Sequence, residues 1–169
     1  GDQLLPGAQA FVEWLKKECK KFLFLTNSSE KSPRELKEKL DRLGIQVDAT
    51  HFYTSALATA SFLASQCANG SAYVIGEAGL INALYEAGFS MNEINPDYVV
   101  VGESRSYSYE KIERAVRLVR NGAKLIGANP DLTDKMGKDF APATGALIAP
   151  IELASDTRAY FVGKPNPIM

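Results

Sequence analysis

At 169 residues, 46% of them hydrophobic, the chain can bury a sizeable core, as one domain or as two small ones. Its formal charge of -1 and pI near 5.9 leave no basic footprint for nucleic acid or for an anionic membrane surface. No stretch is long and apolar enough to span a bilayer and no signal peptide is visible, so the expected compartment is the cytoplasm. Cys19 and Cys67 are far apart, in helix-like segments without a nearby His, and read as reduced core or boundary thiols. A lone His51 cannot by itself build a metal site or a His-based triad. The chain starts at Gly1 and stops at Met169 directly after a Pro-rich turn, and neither end reads as a natural terminus.

In chain order, Leu5-Pro6-Gly7-Ala8 opens an amphipathic helix with Ala8, Phe11, Val12 and Leu15 at helical spacing, and Lys16, Lys17, Lys20 and Lys21 belong to a solvated face. Phe22-Leu23-Phe24-Leu25 is a short continuous apolar run, the pattern of a buried parallel strand. The next helix is signposted by Ser32 as N-cap, Pro33 at the first helical position and Glu35 closing a capping box. Leu36, Leu40 and Leu43 make its expected buried stripe, and Gly44 ends it. Phe52-Tyr53-Thr54 reads as a strand, followed by a helix with Leu57, Ala60, Ala64 and Cys67 on one face. Asn69-Gly70 is a turn and the best candidate for a domain boundary.

Beyond it a weak internal echo appears. Tyr73-Val74-Ile75-Gly76-Glu77 and Val99-Val100-Val101-Gly102-Glu103 each lead into a helix, the first ending at Gly88 and the second at Asn121-Gly122. Neither glycine has the G-x-G-x-x-G spacing that lets a backbone approach a pyrophosphate, so a dinucleotide site is disfavoured and the glycines read as tight strand ends. Lys124-Leu125-Ile126-Gly127 is a further strand, and the polar, Gly/Pro-punctuated segment from Asn129 to Pro142 is expected to be a long loop. Thr144 to Leu153 is mixed and reads as a helix that Pro150 interrupts. Strand–helix alternation throughout argues for parallel sheets and an α/β class.

Two apolar runs stop abruptly at polar clusters: Leu25-Thr26-Asn27-Ser28, and Tyr160-Phe161-Val162-Gly163-Lys164-Pro165-Asn166-Pro167. In open α/β sheets such clusters lie at the carboxyl ends of strands, where ligands bind. A hydroxyl, amide donors and a lysine converging there suit a phosphoryl group, whose charge is spread over several oxygens.

Leu4-Leu5-Pro6-Gly7-Ala8, Leu25-Thr26-Asn27-Ser28, Tyr53-Thr54-Ser55-Ala56, Tyr73-Val74-Ile75-Gly76-Glu77, Val101-Gly102-Glu103, Ala128-Asn129-Pro130-Asp131 and Gly163-Lys164-Pro165-Asn166-Pro167, in this order and spacing, resemble the NagD-like phosphatases of the haloacid dehalogenase superfamily. The resemblance covers essentially the whole chain. It implies an α/β fold with a Rossmann-like core, partial here, and a large inserted α/β cap. Residues 1–70 would open the core, 71–158 form the cap and 159–169 return to the core. Thr26 falls on the family's second motif, which holds the transferring phosphoryl group, and Asn27 and Ser28 extend that pocket. Lys164 falls on the third motif, the lysine that neutralises charge on the nucleophile and the phosphoryl oxygens. The implied activity is Mg²⁺-dependent hydrolysis of small phosphomonoesters through an aspartyl-phosphate. The implied partner is a small phosphorylated metabolite, with a homo-oligomer formed through the cap as a further expectation.

The departure from the pattern lies at the ends. The family's Asp-x-Asp motif is expected shortly before Gly1, and its acidic Mg²⁺-holding residues after Met169; Asp2 lacks a partner at the right spacing. The chain as written supplies phosphate binding without the nucleophile or any metal ligand, and the alternative reading is a protein that only binds phosphorylated ligands or a partner. A cap closing over a core pocket must set a loop against the leaving group, and the segment from Asn129 to Pro142 is the candidate. Asn129 and Asp131 directly follow a strand and are the expected substrate-selecting residues, with Lys135 and Lys138 further out.

Overall fold

In the computed structural model, which describes residues 3–169, strands form where the apolar runs were read. Helix α1 (Ala8–Lys17) precedes strand β1 (Phe24–Thr26), helix α2 (Pro33–Arg42), a short 3-10 turn (Ala49–His51) and strand β2 (Phe52–Thr54). β1 and β2 pair in parallel, Phe24 with Phe52 and Thr26 with Thr54, so both polar ends point the same way. Ser32 closes the capping box as expected: its hydroxyl accepts from the Glu35 amide, and the Glu35 carboxylate accepts from the Ser32 amide at 2.8 Å. Those Ser32 bonds, side chain first, hold the Glu35 carboxyl below its ordinary range, with the Lys31 charge adding to them. A depressed carboxyl stabilises the fold above its unfolded pKa and loses that contribution as pH falls through the folded one. Ser32→Ala is expected to cost about 1 kcal/mol in a denaturant titration near neutral pH, and less in acid.

The leucine stripe of α2 is only half-buried. Leu36 and Leu40 lie against a small cluster of Val12, Ile45, Val47 and Phe52. Phe24 joins that cluster, whereas Leu23 and Leu25 project to the other side of β1 and remain 59% and 47% exposed. With one covered face, two strands cannot bury both sides of a run that reads as doubly buried. Cys19 is exposed rather than a core thiol, and Cys67 is half-buried.

Helix α3 (Ser55–Gln66) leads through the Asn69-Gly70 turn into the second sheet. There β3 (Ser71–Ile75), α4 (Ala78–Glu86), β4 (Ser90–Met91), β5 (Tyr98–Val101), α5 (Tyr109–Arg120) and β6 (Lys124–Gly127) are followed by β7 (Thr133–Met136), β8 (Asp139–Pro142), α6 (Thr144–Ser155) and β9 (Tyr160–Phe161). Five strands pair in parallel in the order β4-β3-β5-β6-β9. The central strand β5 is buried on both faces and sorts its side chains with the period of two. Val100 meets Leu63 of α3 with Leu80 and Leu84 of α4, while Val99 and Val101 meet Ala115 and Leu118 of α5 with Ile148 and Ile151 of α6. One core therefore runs across residue 70, because Ala56, Ala60 and Leu63 of α3 pack within it. Tyr160 and Phe161 lie beside Ile126 and Gly127 at the edge of this same sheet.

Two further expectations fail. The segment from Asn129 to Pro142 is not a loop throughout: β7 and β8 form an antiparallel hairpin with Thr133 opposite Pro142 and Met136 opposite Asp139. Its residues are nearly all exposed, and the apolar ones among them, Met136, Phe140, Ala141 and Pro142, do not alternate with polar ones, so no strand pattern announces it. Helix α6 runs through Pro150 without a break, because Pro150 sits on its exposed side while Leu147, Ile148 and Ile151 face the sheet.

Candidate active site

The polar cluster after β1 and the one after β9 meet at the carboxyl ends of the two sheets. Gly163 makes the meeting feasible. Its amide donates to the Ala128 carbonyl at 2.9 Å, and a Cβ there would lie 2.7 Å from that oxygen and 2.8 Å from Asn27 Oδ1. Any side chain would push Lys164 away from Asn27. With glycine in place, Asn27 Oδ1 accepts from the Lys164 amide at 2.8 Å, and Asn27 Nδ2 donates to the Lys164 carbonyl at 3.1 Å and to Asp131 Oδ2 at 2.9 Å. Asn27, expected to extend the phosphate pocket, thus commits both ends of its side chain to holding the lysine segment.

Lys164 Nζ reaches back across β1 and donates to the Leu25 carbonyl at 3.2 Å. Thr26 Oγ1 accepts from the Ser28 amide at 3.2 Å, which leaves the hydroxyl proton for another acceptor. Thr26, Asn27, Ser28, Asp131 and Lys164 all line one cavity of about 520 Å³, a size suited to a small metabolite. The structure brings together Thr26, Ser28 and Lys164, which the chain separates widely.

Asn129 and Asp131 part company. Asn129 is fully buried, donates to the Asn27 carbonyl at 2.7 Å and to Glu103 Oε1 at 2.9 Å, and does not line the cavity. It belongs to the frame of the site, whereas Asp131 is exposed on the wall. Glu103 was not singled out by sequence reasoning and anchors that frame. Its carboxylate accepts from the Ser29 amide at 2.9 Å and from the Ser29 hydroxyl, and its own amide donates to Ser29 Oγ at 3.0 Å. Ser29 is fully buried, and a Cβ on Gly102 would lie 2.5 Å from its hydroxyl oxygen. The signal was the polar pair Gly102-Glu103 directly after the most apolar strand, but its partner lies far back along the chain.

No three His, Cys, Asp or Glu side chains gather as a metal site among the described residues. Of the four carboxylates that line the cavity, Glu30 pairs with Arg105, Asp131 accepts from Asn27, and Glu103 accepts from Ser29 and Asn129, so among the described residues they do not converge on one point as Mg²⁺ ligands would. No helix among the described residues is long and apolar enough to cross a membrane.

A family profile for haloacid dehalogenase-like hydrolases matches residues 1–90. The chain is 42% identical over 167 residues to a dihydroxyacetone phosphatase of Corynebacterium glutamicum, covering 99% of this chain and 61% of that protein. It belongs to the NagD-like haloacid dehalogenase hydrolases. Another relative of this kind, the ribonucleotide monophosphatase NagD of Escherichia coli, is 42% identical over 96% of this chain and 64% of its own length. A crystal structure of a thermostable NPPase from Geobacillus stearothermophilus superposes with a TM-score of 0.94 at 40% identity, over 97% of this chain and 66% of that one. The chain therefore spans somewhat less than two thirds of the length of these curated relatives. The NagD-like hydrolase fold accounts for the parallel α/β sheets and for the polar clusters at their carboxyl ends.

Proposed function

We infer that the full-length protein hydrolyses small phosphomonoesters, with Thr26 and Lys164 holding the transferring phosphoryl group. The observation that carries this reading is the approach of the Lys164 segment to the end of β1, locked by both ends of the Asn27 side chain. That arrangement fixes a cation beside a free hydroxyl proton at one end of a metabolite-sized cavity. Donors fixed before the reaction stabilise the developing charge without reorganising, which is where most of the catalytic effect of such sites arises. Lys164 neutralises charge on the phosphoryl oxygens, and the Thr26 and Ser28 hydroxyls orient them. The names of the relatives, a dihydroxyacetone phosphatase and a ribonucleotide monophosphatase, support a small metabolite as the leaving group.

The nucleophile of this reading is an aspartate of the family's Asp-x-Asp motif, attacking phosphorus to form an aspartyl-phosphate that water then cleaves. It is not among the residues described, and neither are ligands for the Mg²⁺ that the family resemblance implies. The test is direct. The full-length protein with Mg²⁺ is expected to release nitrophenol from p-nitrophenyl phosphate, and to stop when EDTA is added. Metal-independent release would overturn the metal requirement. No release, with phosphate still binding at Thr26 and Lys164, would make the protein a phosphate-binding one.

A further inference from the structure

The cavity at Thr26 and Lys164 continues into a second, wider one of about 870 Å³, bounded by the segment before α2 and by the β7–β8 hairpin. The two share Glu30, Lys31, Lys39 and Asp134 as walls, so a ligand seated on Thr26 and Lys164 extends toward the hairpin. This outer chamber is strongly biased in charge. Among the described residues, Lys31, Lys39, Lys135, Lys138 and Arg105 line it, against Glu30 and Asp134. The chain as a whole carries a formal charge of -1, so the excess is local to this place.

One of the two acids is already neutralised, because Arg105 Nε lies 3.3 Å from Glu30 Oε1. Among the described residues no carboxylate forms a salt bridge with Lys31, Lys135 or Lys138. Lys135 and Lys138 stand at the hairpin tip, one in β7 opposite Phe140 and the other in the turn, while Lys31 faces them from the segment before α2. Cations on opposite walls of one chamber repel each other, and an anion between them relieves that cost. The chamber adjoins the phosphate end, and the phosphoryl group itself is already served by Lys164.

We propose that this chamber is a subsite for a second anionic group, a carboxylate or phosphate, carried by the leaving group of the same substrate. The inference rests on the phosphatase reading above and narrows it to phosphomonoesters of acidic alcohols. It is tested in the full-length protein with a matched pair, 3-phosphoglycerate and glycerol 3-phosphate, which differ by a carboxylate in place of a hydroxymethyl group. At low salt kcat/KM is expected to favour the acid by about 10-fold, the sum of a few partly exposed charge pairs. The preference is expected to fall toward unity with added salt and in the Lys135→Gln/Lys138→Gln variant. The ratio is the readout, so a general loss of activity does not imitate the result. Equal kcat/KM for the pair, or a preference that survives the double substitution, overturns the proposal. So does a rise in glycerol 3-phosphate turnover on adding free glycerate, which would mean that the chamber serves a separate anion. If p-nitrophenyl phosphate turns over while the pair is not discriminated, only the subsite is lost; if nothing turns over, the phosphatase reading fails with it.

Discussion

Lys164→Ala in the full-length protein is expected to lower kcat by about 10²-fold or more, the cost of removing one preorganised charge-stabilising donor. Folding should hardly change, because Lys164 is exposed and its backbone, rather than its ammonium group, makes the two bonds to Asn27. The side chain contributes a single bond, to the Leu25 carbonyl. Lys164→Arg should not restore the rate, since a planar fork places its charge differently from a compact ammonium. Thr26→Ala should cost less than Lys164→Ala, because a neutral hydroxyl is the weaker stabiliser. Steady-state rates per folded molecule, with the folded fraction read from a thermal melt, decide the matter. A collapsed melting temperature with normal turnover in the folded fraction would make Lys164 a structural residue.

Glu103→Ala is expected to act in the opposite sense, on stability first. It strands the Ser29 amide and hydroxyl protons and one of the two Asn129 amide protons, the other staying on the Asn27 carbonyl, all in the frame behind the cavity. Leaving such groups without partners should cost about 3 kcal/mol of unfolding free energy. The same loss frees the Ser29 segment from the end of β5. Misplacement of a reacting group by about 1 Å costs about 10²-fold in rate, so turnover in the molecules that stay folded should fall too. Glu103→Gln should be intermediate. An oxygen can still accept from Ser29, but the new amide then faces the Asn129 amide, donor against donor. A Glu103→Ala protein as stable as the parent in a denaturant titration would show that the carboxylate does not anchor the frame.

How far the sequence discloses this molecule depends on how local each feature is. Ser32, Pro33 and Glu35 lie within one turn, and the helix they announce starts where they say. The apolar runs at Val99-Val100-Val101 and Leu125-Ile126 become doubly buried strands because strand burial is written in composition. The hairpin is missed because Thr133 to Pro142 lacks the apolar alternation of a strand pair, and its one local signal, Gly137 at the first position of the two-residue turn with φ 63°, reads equally as loop punctuation. The expected buried stripe of α2 is only half-buried because periodicity reports which face is apolar, not how much packs on it. Thr26 and Lys164 were legible as chemistry at strand ends. The work of Asn27, Glu103 and Asn129 was not, because each acts through partners from other elements that only the fold brings near.

Helix α3 ties these parts together mechanically. Its N-terminus is capped by Thr54 at the end of β2, and Ser55, its first residue, donates to the Asn27 carbonyl at 2.6 Å. Its far end carries Leu63 into the core of the five-stranded sheet. A rigid rod seated in both places couples them: a tilt at one end displaces the other. The Asn69-Gly70 turn then carries the chain from that rod straight into β3 of the same sheet. Widening the alanine face at Ala56 or Ala60 would be felt at Asn27, and so at the lysine, without any change in the residues that touch the ligand.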